Sequence, residues 1–175
     1  SIPAALTRAL DADRVSAFGG IIAINGVVEA TAARELTSLF LECVVAPGFT
    51  PEAREVLAAK ANLRLLELAP QALDLAGPDH VRSTLGGLLV QDLDDQAIIP
   101  ADWTVASQRP PTPQEKQDLE FAWRLVRHVR SNAIVVAKDG QSLGVGAGQM
   151  NRVGSARIAL EAAGDKAQGA VLASD

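Results

Sequence analysis

The chain has no tyrosine, and aromatic residues make up only 3 % of its 175 positions. So thin a supply excludes a stacking platform for single-stranded nucleic acid and an aromatic-rich paratope. Cysteine occurs once, at Cys43. One thiol excludes an internal disulfide and a cysteine-built zinc site. It precedes Val44 and Val45 in an apolar run, far in sequence from either histidine, which marks a buried structural thiol rather than a nucleophile. The histidines are His80 and His128; neither has a partner at metal-ligand spacing, so each is expected to be solvated or locally bonded. No apolar run is long enough to span a bilayer and no signal peptide opens the chain, so a cytoplasmic protein is expected. Basic residues are outnumbered, 16 Lys and Arg against 21 Asp and Glu, for a net charge of −5. That balance excludes whole-chain attraction to nucleic acid or anionic membrane, and any anion site must be local.

What is present is globular. Hydrophobic residues make up 48 % and charged residues 21 %. A chain of this length buries roughly 70 % of its unfolded surface as one domain. Ile2–Leu10 has helical spacing, and Phe18–Ile24 is a buried strand pattern closed by Asn25-Gly26. Thr31–Leu41 is expected to be a helix capped by Thr31, with Ala32, Leu36, Leu39 and Phe40 turned inward and Glu42 at its end. Cys43–Ala46 is a second strand. Thr50-Pro51-Glu52 opens a helix reaching about Lys60, because it offers a cap, a proline at the first position and an acid in the first turn. Leu63–Leu68 is a third strand. This β-α-β-α-β order predicts a largely parallel, helix-covered sheet.

Residues 69–79 form a link punctuated by proline and glycine. Val81–Asp92 is a strand pattern interrupted by Gly86-Gly87, where a bulge or close backbone approach is expected. Residues 96–113 are a polar, proline-rich connection, with Trp103 anchoring it to the core. Thr112 and Glu115 make a capping box, and the helix it opens runs to about Arg130 on a core stripe of Leu119, Ala122, Trp123, Val126 and Val129. Arg124, Arg127, His128 and Arg130 then form a basic helix end that suits the macrodipole.

The stretch Ser131–Ile158, SNAIVVAKDGQSLGVGAGQMNRVGSARI, carries the densest signal. Strand patterns at Ala133–Lys138 and Ser142–Val145 flank Asp139-Gly140, a turn pair that favours a hairpin because a primed turn needs positive φ. Gly144, Gly146 and Gly148 follow, then a helix from about Asn151 to Ala163 with Gly164 as its stop. Glycines that admit a ligand to the backbone, before a helix carrying Arg152 in its first turn, make a candidate anion site. The spacing is neither the dinucleotide fingerprint nor the P-loop, and a tight turn between strand and helix is the alternative. An arginine at an exposed helix start is expected to carry little packing. A new apolar pattern begins in 167–175.

The sequence of this stretch, extended to Ala159, closely resembles the signature of the transformylase domain of the bifunctional AICAR formyltransferase/IMP cyclohydrolase family. SAFGGIIAIN at Ser16–Asn25, LECVVAPGF at Leu41–Phe49, VRSTLGGLLVQD at Val81–Asp92 and GDKAQGAVLASD at Gly164–Asp175 extend the resemblance over essentially the whole chain. It implies a cytidine-deaminase-like α/β fold, three layers of α/β/α around a mostly parallel mixed sheet, in two related subdomains without the zinc. It implies transfer of a formyl group from 10-formyltetrahydrofolate to the exocyclic amine of the AICAR nucleotide. Folate is a co-substrate, no cofactor is tightly bound, and the family is homodimeric. Gly19 and Glu42 would contact the nucleotide, Glu42 through a ribose hydroxyl. Asn132 would hydrogen-bond the carboxamide and hold the amine in line. Arg152 would face the nucleotide and Val153 would touch the folate. Gly19, Glu42, Asn132 and Arg152 are then expected to converge on one cleft.

The chain departs from the family in lacking its catalytic Lys-His pair: Lys60, Lys116, Lys138 and Lys166 are followed by Ala, Gln, Asp and Ala. The cyclohydrolase domain and the segment after the ASD motif are also outside these residues. The expectation is an internal, inactive part of the transformylase domain, with Asn132 as its one supporting catalytic group. A stand-alone nucleotide-binding or structural module of the same fold is the alternative.

Overall fold

The computed structural model describes residues 1–69, 71–72, 79–94 and 100–175. Most of the link expected over 69–79, and the start of the connection over 96–113, lie outside the described residues. The chain divides into two compact units, Ser1–Gln96 and Ala97–Asp175. Among the described residues no helix is long and apolar enough to cross a membrane.

In the first unit, α1 (Ile2–Ala12) and the short α2 (Arg14–Ala17) precede β1 (Gly20–Ala23), α3 (Ala30–Thr37), β2 (Leu41–Ala46), α4 (Pro51–Leu57) and β3 (Arg64–Glu67). The strands pair in the order β1-β2-β3, all parallel, as the alternation of apolar runs and capped helices predicts. The core lies on one face of this sheet. Val44 and Ala46 are buried there against Leu6, Leu10, Ala32, Leu36, Ala53 and Leu57, with Ile22, Ile24 and Leu65 packed beside them. The alternate residues point the other way, and there Ile21 and Leu66 are exposed while Cys43 is buried. Cys43 is thus buried, as expected.

Several local expectations shift. Phe18 does not begin β1; it caps α2, whose start is closed by the Asp13 carboxylate accepting from Ser16 N–H. The third helix is capped two residues earlier than expected, by Glu29 rather than Thr31, and it ends at Thr37. That frees Leu41 and Glu42 to join β2, so Glu42 is a strand residue and not a helix end. Phe40 is exposed and packs on Phe18 with ring centroids 5.3 Å apart. The fourth helix does open as expected, with the Thr50 hydroxyl accepting from Ala53 N–H.

Gly86 and Gly87 mark neither a bulge nor a close approach. β4 (Asp79–Thr84) and β5 (Gly87–Asp92) pair antiparallel as a hairpin, and Gly86 turns the chain at φ +84°. Strand-forming residues lie on both sides of the glycines, so one long strand and two short ones look alike in sequence.

The second unit is a three-layer α/β/α sandwich. α5 (Pro113–Val126) leads to β6 (Ile134–Lys138), β7 (Gln141–Gly146), α6 (Arg152–Ala163) and β8 (Val171–Ser174). The sheet order is β7-β6-β8 and both pairings are antiparallel, the β6–β7 pair as the hairpin signal predicts; the parallel strands of the mixed sheet implied by the resemblance lie in the first unit. The two-residue turn at Asp139-Gly140, with φ of 52° and 66°, forces β7 to return beside β6. One face buries Val135, Ala137 and Ala173 under Ala122 and Val126 of α5; the other buries Ile134, Val136 and Leu143 under Ala159 and Ala163 of α6.

The α5 capping box forms as predicted, with both Thr112–Glu115 bonds present. The stripe is rotated, however. Asp118 is buried, while Trp123 is half exposed and meets Trp103 edge to face at 6.2 Å. Trp103 therefore anchors its loop on α5. Asp118 Oδ1 accepts the Gly140 N–H at 2.8 Å, so the acid on the apolar face of α5 pins the β6–β7 turn.

Candidate functional site

The chemistry-bearing residues of the second unit gather at the start of α6. Asn151 caps that helix, its Oδ1 accepting from Gly154 N–H at 2.7 Å. Arg152 is the first helical residue. Its Nε donates to Ser174 Oγ at 2.9 Å, and Nη1 donates to Asn132 Oδ1 at 3.1 Å. Nη2 donates to the main-chain oxygen of Asp175 at 2.9 Å and to its carboxylate at 3.3 Å. The guanidinium therefore links the N-terminus of α6 to the start of β6 and the end of β8. This corrects the expectation that Arg152 carries little packing: although 47 % exposed, it spends most of its donors on protein partners.

Asn132 is held from the same side. Its Nδ2 donates to Gln149 O at 2.8 Å, and its main-chain oxygen accepts from Ser155 Oγ at 2.6 Å. The peptide between Ser131 and Asn132 is cis. Asp175 closes the cluster by accepting from Ala133 N–H at 2.9 Å. Hydrogen bonds from Ser131 and from the Ala133 N–H, with the Arg152 charge beside them, hold the Asp175 carboxyl below the ordinary aspartate range.

Of the two readings open for the glycines, Gly144 and Gly146 show the close packing of strand against helix. A Cβ on Gly144 would lie 1.9 Å from Ala159 O, and one on Gly146 would lie 2.0 Å from Ser155 O. Both positions face α6, which lies directly on β7. Gly148 is different: its φ of +65° makes the turn into the helix, and its N–H donates to Arg130 O at 2.8 Å. The positively charged helix start that this turn delivers, with Arg152 on it, still favours an anionic or electron-rich group. Val153 stands next to Arg152 and is 79 % exposed.

In the first unit, Gly19 and Glu42 lie at the leading end of neighbouring strands. Gly19, at φ +72°, donates its N–H to Phe40 O at 2.8 Å. Glu42 is half exposed and pairs with Arg64 at 2.8 Å. Such an exposed pair contributes little to stability and leaves carboxylate lone pairs for a ligand hydroxyl. Asn132 and Arg152 are thus brought together in one unit, and Gly19 and Glu42 in the other. Sequence reasoning missed Ser155, Ser174 and Asp175. The spacing of Arg152 and Ser155, three apart on one helix, was the available signal.

Among the described residues, no group of three or more His, Cys, Asp and Glu is placed to hold a metal ion. A family model described as AICARFT/IMPCHase bienzyme matches residues 1–162. A curated relative named bifunctional purine biosynthesis protein PurH, from Synechococcus sp. (strain CC9605), is 94 % identical over 175 residues, all of this chain and 34 % of the relative. Proteins of the same name are 83 % identical over 174 residues in Parasynechococcus marenigrum (strain WH8102) and 60 % identical over 171 residues in Prochlorococcus marinus (strain NATL1A), covering 34 % and 33 % of those relatives. This chain thus spans about a third of the length of the curated relatives it matches, and the matched region takes in every residue of the Asn132–Arg152 pair. On these matches the chain belongs to the AICARFT/IMPCHase bienzyme family.

Proposed function

We propose that this chain is part of the formyl-transfer domain of a bifunctional purine biosynthesis enzyme. The amine of the AICAR nucleotide attacks the formyl carbon of 10-formyltetrahydrofolate. A base removes the amine proton, a donor stabilises the tetrahedral oxyanion, and formyl-AICAR and tetrahydrofolate leave. Asn132 hydrogen-bonds the substrate carboxamide and holds the amine in line. Arg152 faces the nucleotide, Val153 contacts the folate, and Gly19 and Glu42 contact the nucleotide, Glu42 through a ribose hydroxyl. The proton acceptor comes from outside these 175 residues, since the chain contains no Lys-His pair. The fold type is cytidine-deaminase-like, and the working protein is a cytoplasmic homodimer.

The observation that carries this proposal is the Asn132–Arg152 pair at the start of α6, the two residues the family resemblance assigns to the nucleotide. The near-complete identity to proteins named for purine biosynthesis supports it. The test uses the full-length bienzyme containing this segment. Asn132→Ala should lower formyl transfer by about 10²-fold or more, as expected when reacting groups lose alignment. Cyclisation of formyl-AICAR, measured in the same preparation, should be unchanged. Formyl transfer at the parent rate in Asn132→Ala would overturn the assignment. The 175-residue chain alone is expected to turn over nothing.

A further inference from the structure

Ser155 lies in the first turn of α6, three residues after Arg152, so the two share one face of the helix. Its side chain is fully buried at the contact where α6 lies on Gly146 of β7. Alanine and glycine dominate that contact, and a hydroxyl there must find a partner. A serine within a helix ordinarily turns its hydroxyl back to the carbonyl four residues earlier or out to water. Here that carbonyl, on Asn151, takes the N–H of Ser155 at 3.4 Å, and the hydroxyl crosses to Asn132 O at 2.6 Å. Asn132 is thereby held at each of its polar atoms by α6 or the loop before it. Its N and Nδ2 donate to Gln149 O, its Oδ1 accepts from Arg152, and its main-chain oxygen accepts from Ser155.

We infer that Ser155 is a positioning residue for formyl transfer: its hydroxyl fixes the peptide of Asn132, and so the direction in which the Asn132 amide projects. The inference rests on the proposed role of Asn132 in aligning the substrate amine. Ser155 is buried behind Asn132 and needs no contact with substrate. Its effect belongs to the geometry of the reacting pair, where a displacement on the order of 1 Å costs about 10²-fold in rate. Loss of the Oγ alone removes a donor without opening a large cavity, so orientation suffers before the fold does.

The experiment compares Ser155→Ala, Asn132→Ala and the double variant in the full-length bienzyme containing this segment. Readouts are kcat and both KM values for formyl transfer, the cyclisation rate and the melting temperature. Ser155→Ala should lower kcat by about 10- to 100-fold. Both KM values should stay within about threefold, and cyclisation should be unchanged. The loss should vanish in the Asn132→Ala background, because a positioning residue has nothing left to position. Ser155→Cys, which keeps a weaker donor at the same place, should recover part of the lost kcat and serves where the alanine variant folds poorly. The inference is overturned if Ser155→Ala keeps parental kcat while Asn132→Ala loses it. It is equally overturned if the two losses simply add, or if Cys is no better than Ala. An unaffected Asn132→Ala would instead bring down the underlying role of Asn132, a separate and distinguishable result.

Discussion

Arg152 Nη1 donates to Asn132 Oδ1 at 3.1 Å, joining two residues 20 positions apart in sequence at the point where α6 starts and β6 begins. The same guanidinium reaches Ser174 and Asp175 at the end of β8. One side chain therefore orders the site and ties three elements of the second unit together.

Arg152→Ala should cost both binding and stability. Hydrogen bonds involving a charged group are worth about 1.5–3 kcal/mol, and the loss strands acceptors on Asn132, Ser174 and Asp175. Thermal melting of the full-length protein should show a lowered melting temperature alongside weaker nucleotide binding. An unchanged melting temperature would mean that the guanidinium serves only the ligand.

Gly146→Ala should be more damaging than a surface glycine change. Its Cβ would fall 2.0 Å from Ser155 O, a backbone atom of α6 that cannot swing aside. Overpacking of this kind typically costs about 1–3 kcal/mol, and α6 must move away from β7 to relieve it. Chemical denaturation should report the loss. Formyl transfer should fall with it, since Ser155 and Arg152 ride on the displaced helix.

Asp118→Ala tests the pinned turn. The buried carboxylate accepts the Gly140 N–H at 2.8 Å, and truncation leaves that donor unpaired. The expected cost is about 1–3 kcal/mol. Amide hydrogen exchange should accelerate first at Gly140 and along the β6–β7 ladder. Unaltered exchange at Gly140 would show that the turn holds without α5.

Glu115 gives the chain an acid-sensitive helix start. Hydrogen bonds from Arg109 and from the Thr112 backbone pull its carboxyl down from 4.5 to about 2. A carboxylate with a depressed folded-state pKa stabilises the fold fully above its unfolded value. That contribution is lost as pH falls from about 4.5 toward 2. Glu115→Gln should flatten the acid limb of the stability curve over that window and leave stability near pH 7 lower than the parent's. An acid limb of unchanged steepness would show that Glu115 is not among its causes.

Much of the first unit was legible because its signals are local. Thr50-Pro51-Glu52 specifies a helix start by hydrogen bonding and a fixed φ, and the apolar runs on either side specify strands that need crossover helices between them. Glu42 was misassigned because α3 stops at Thr37, four residues before the expected Leu41, where the apolar Leu39, Phe40 and Leu41 continue the helical pattern in sequence but the last of them already belongs to β2.

In the second unit the sequence by itself determined the β6–β7 hairpin through Asp139-Gly140, the α5 capping box through Thr112 and Glu115, and the limits of α6 through Asn151 and Gly164. Each rests on backbone conformations or bonds that neighbouring residues complete among themselves. Tertiary structure alone decided that Gly144 and Gly146 admit the close approach of α6, that Asp118 belongs in the interior, that Ser155 reaches Asn132, and that Arg152 meets Ser174 and Asp175. Those contacts join residues from separate elements. Their energy depends on which surfaces face each other once the sheet order β7-β6-β8 is set, a choice that no run of neighbouring residues encodes.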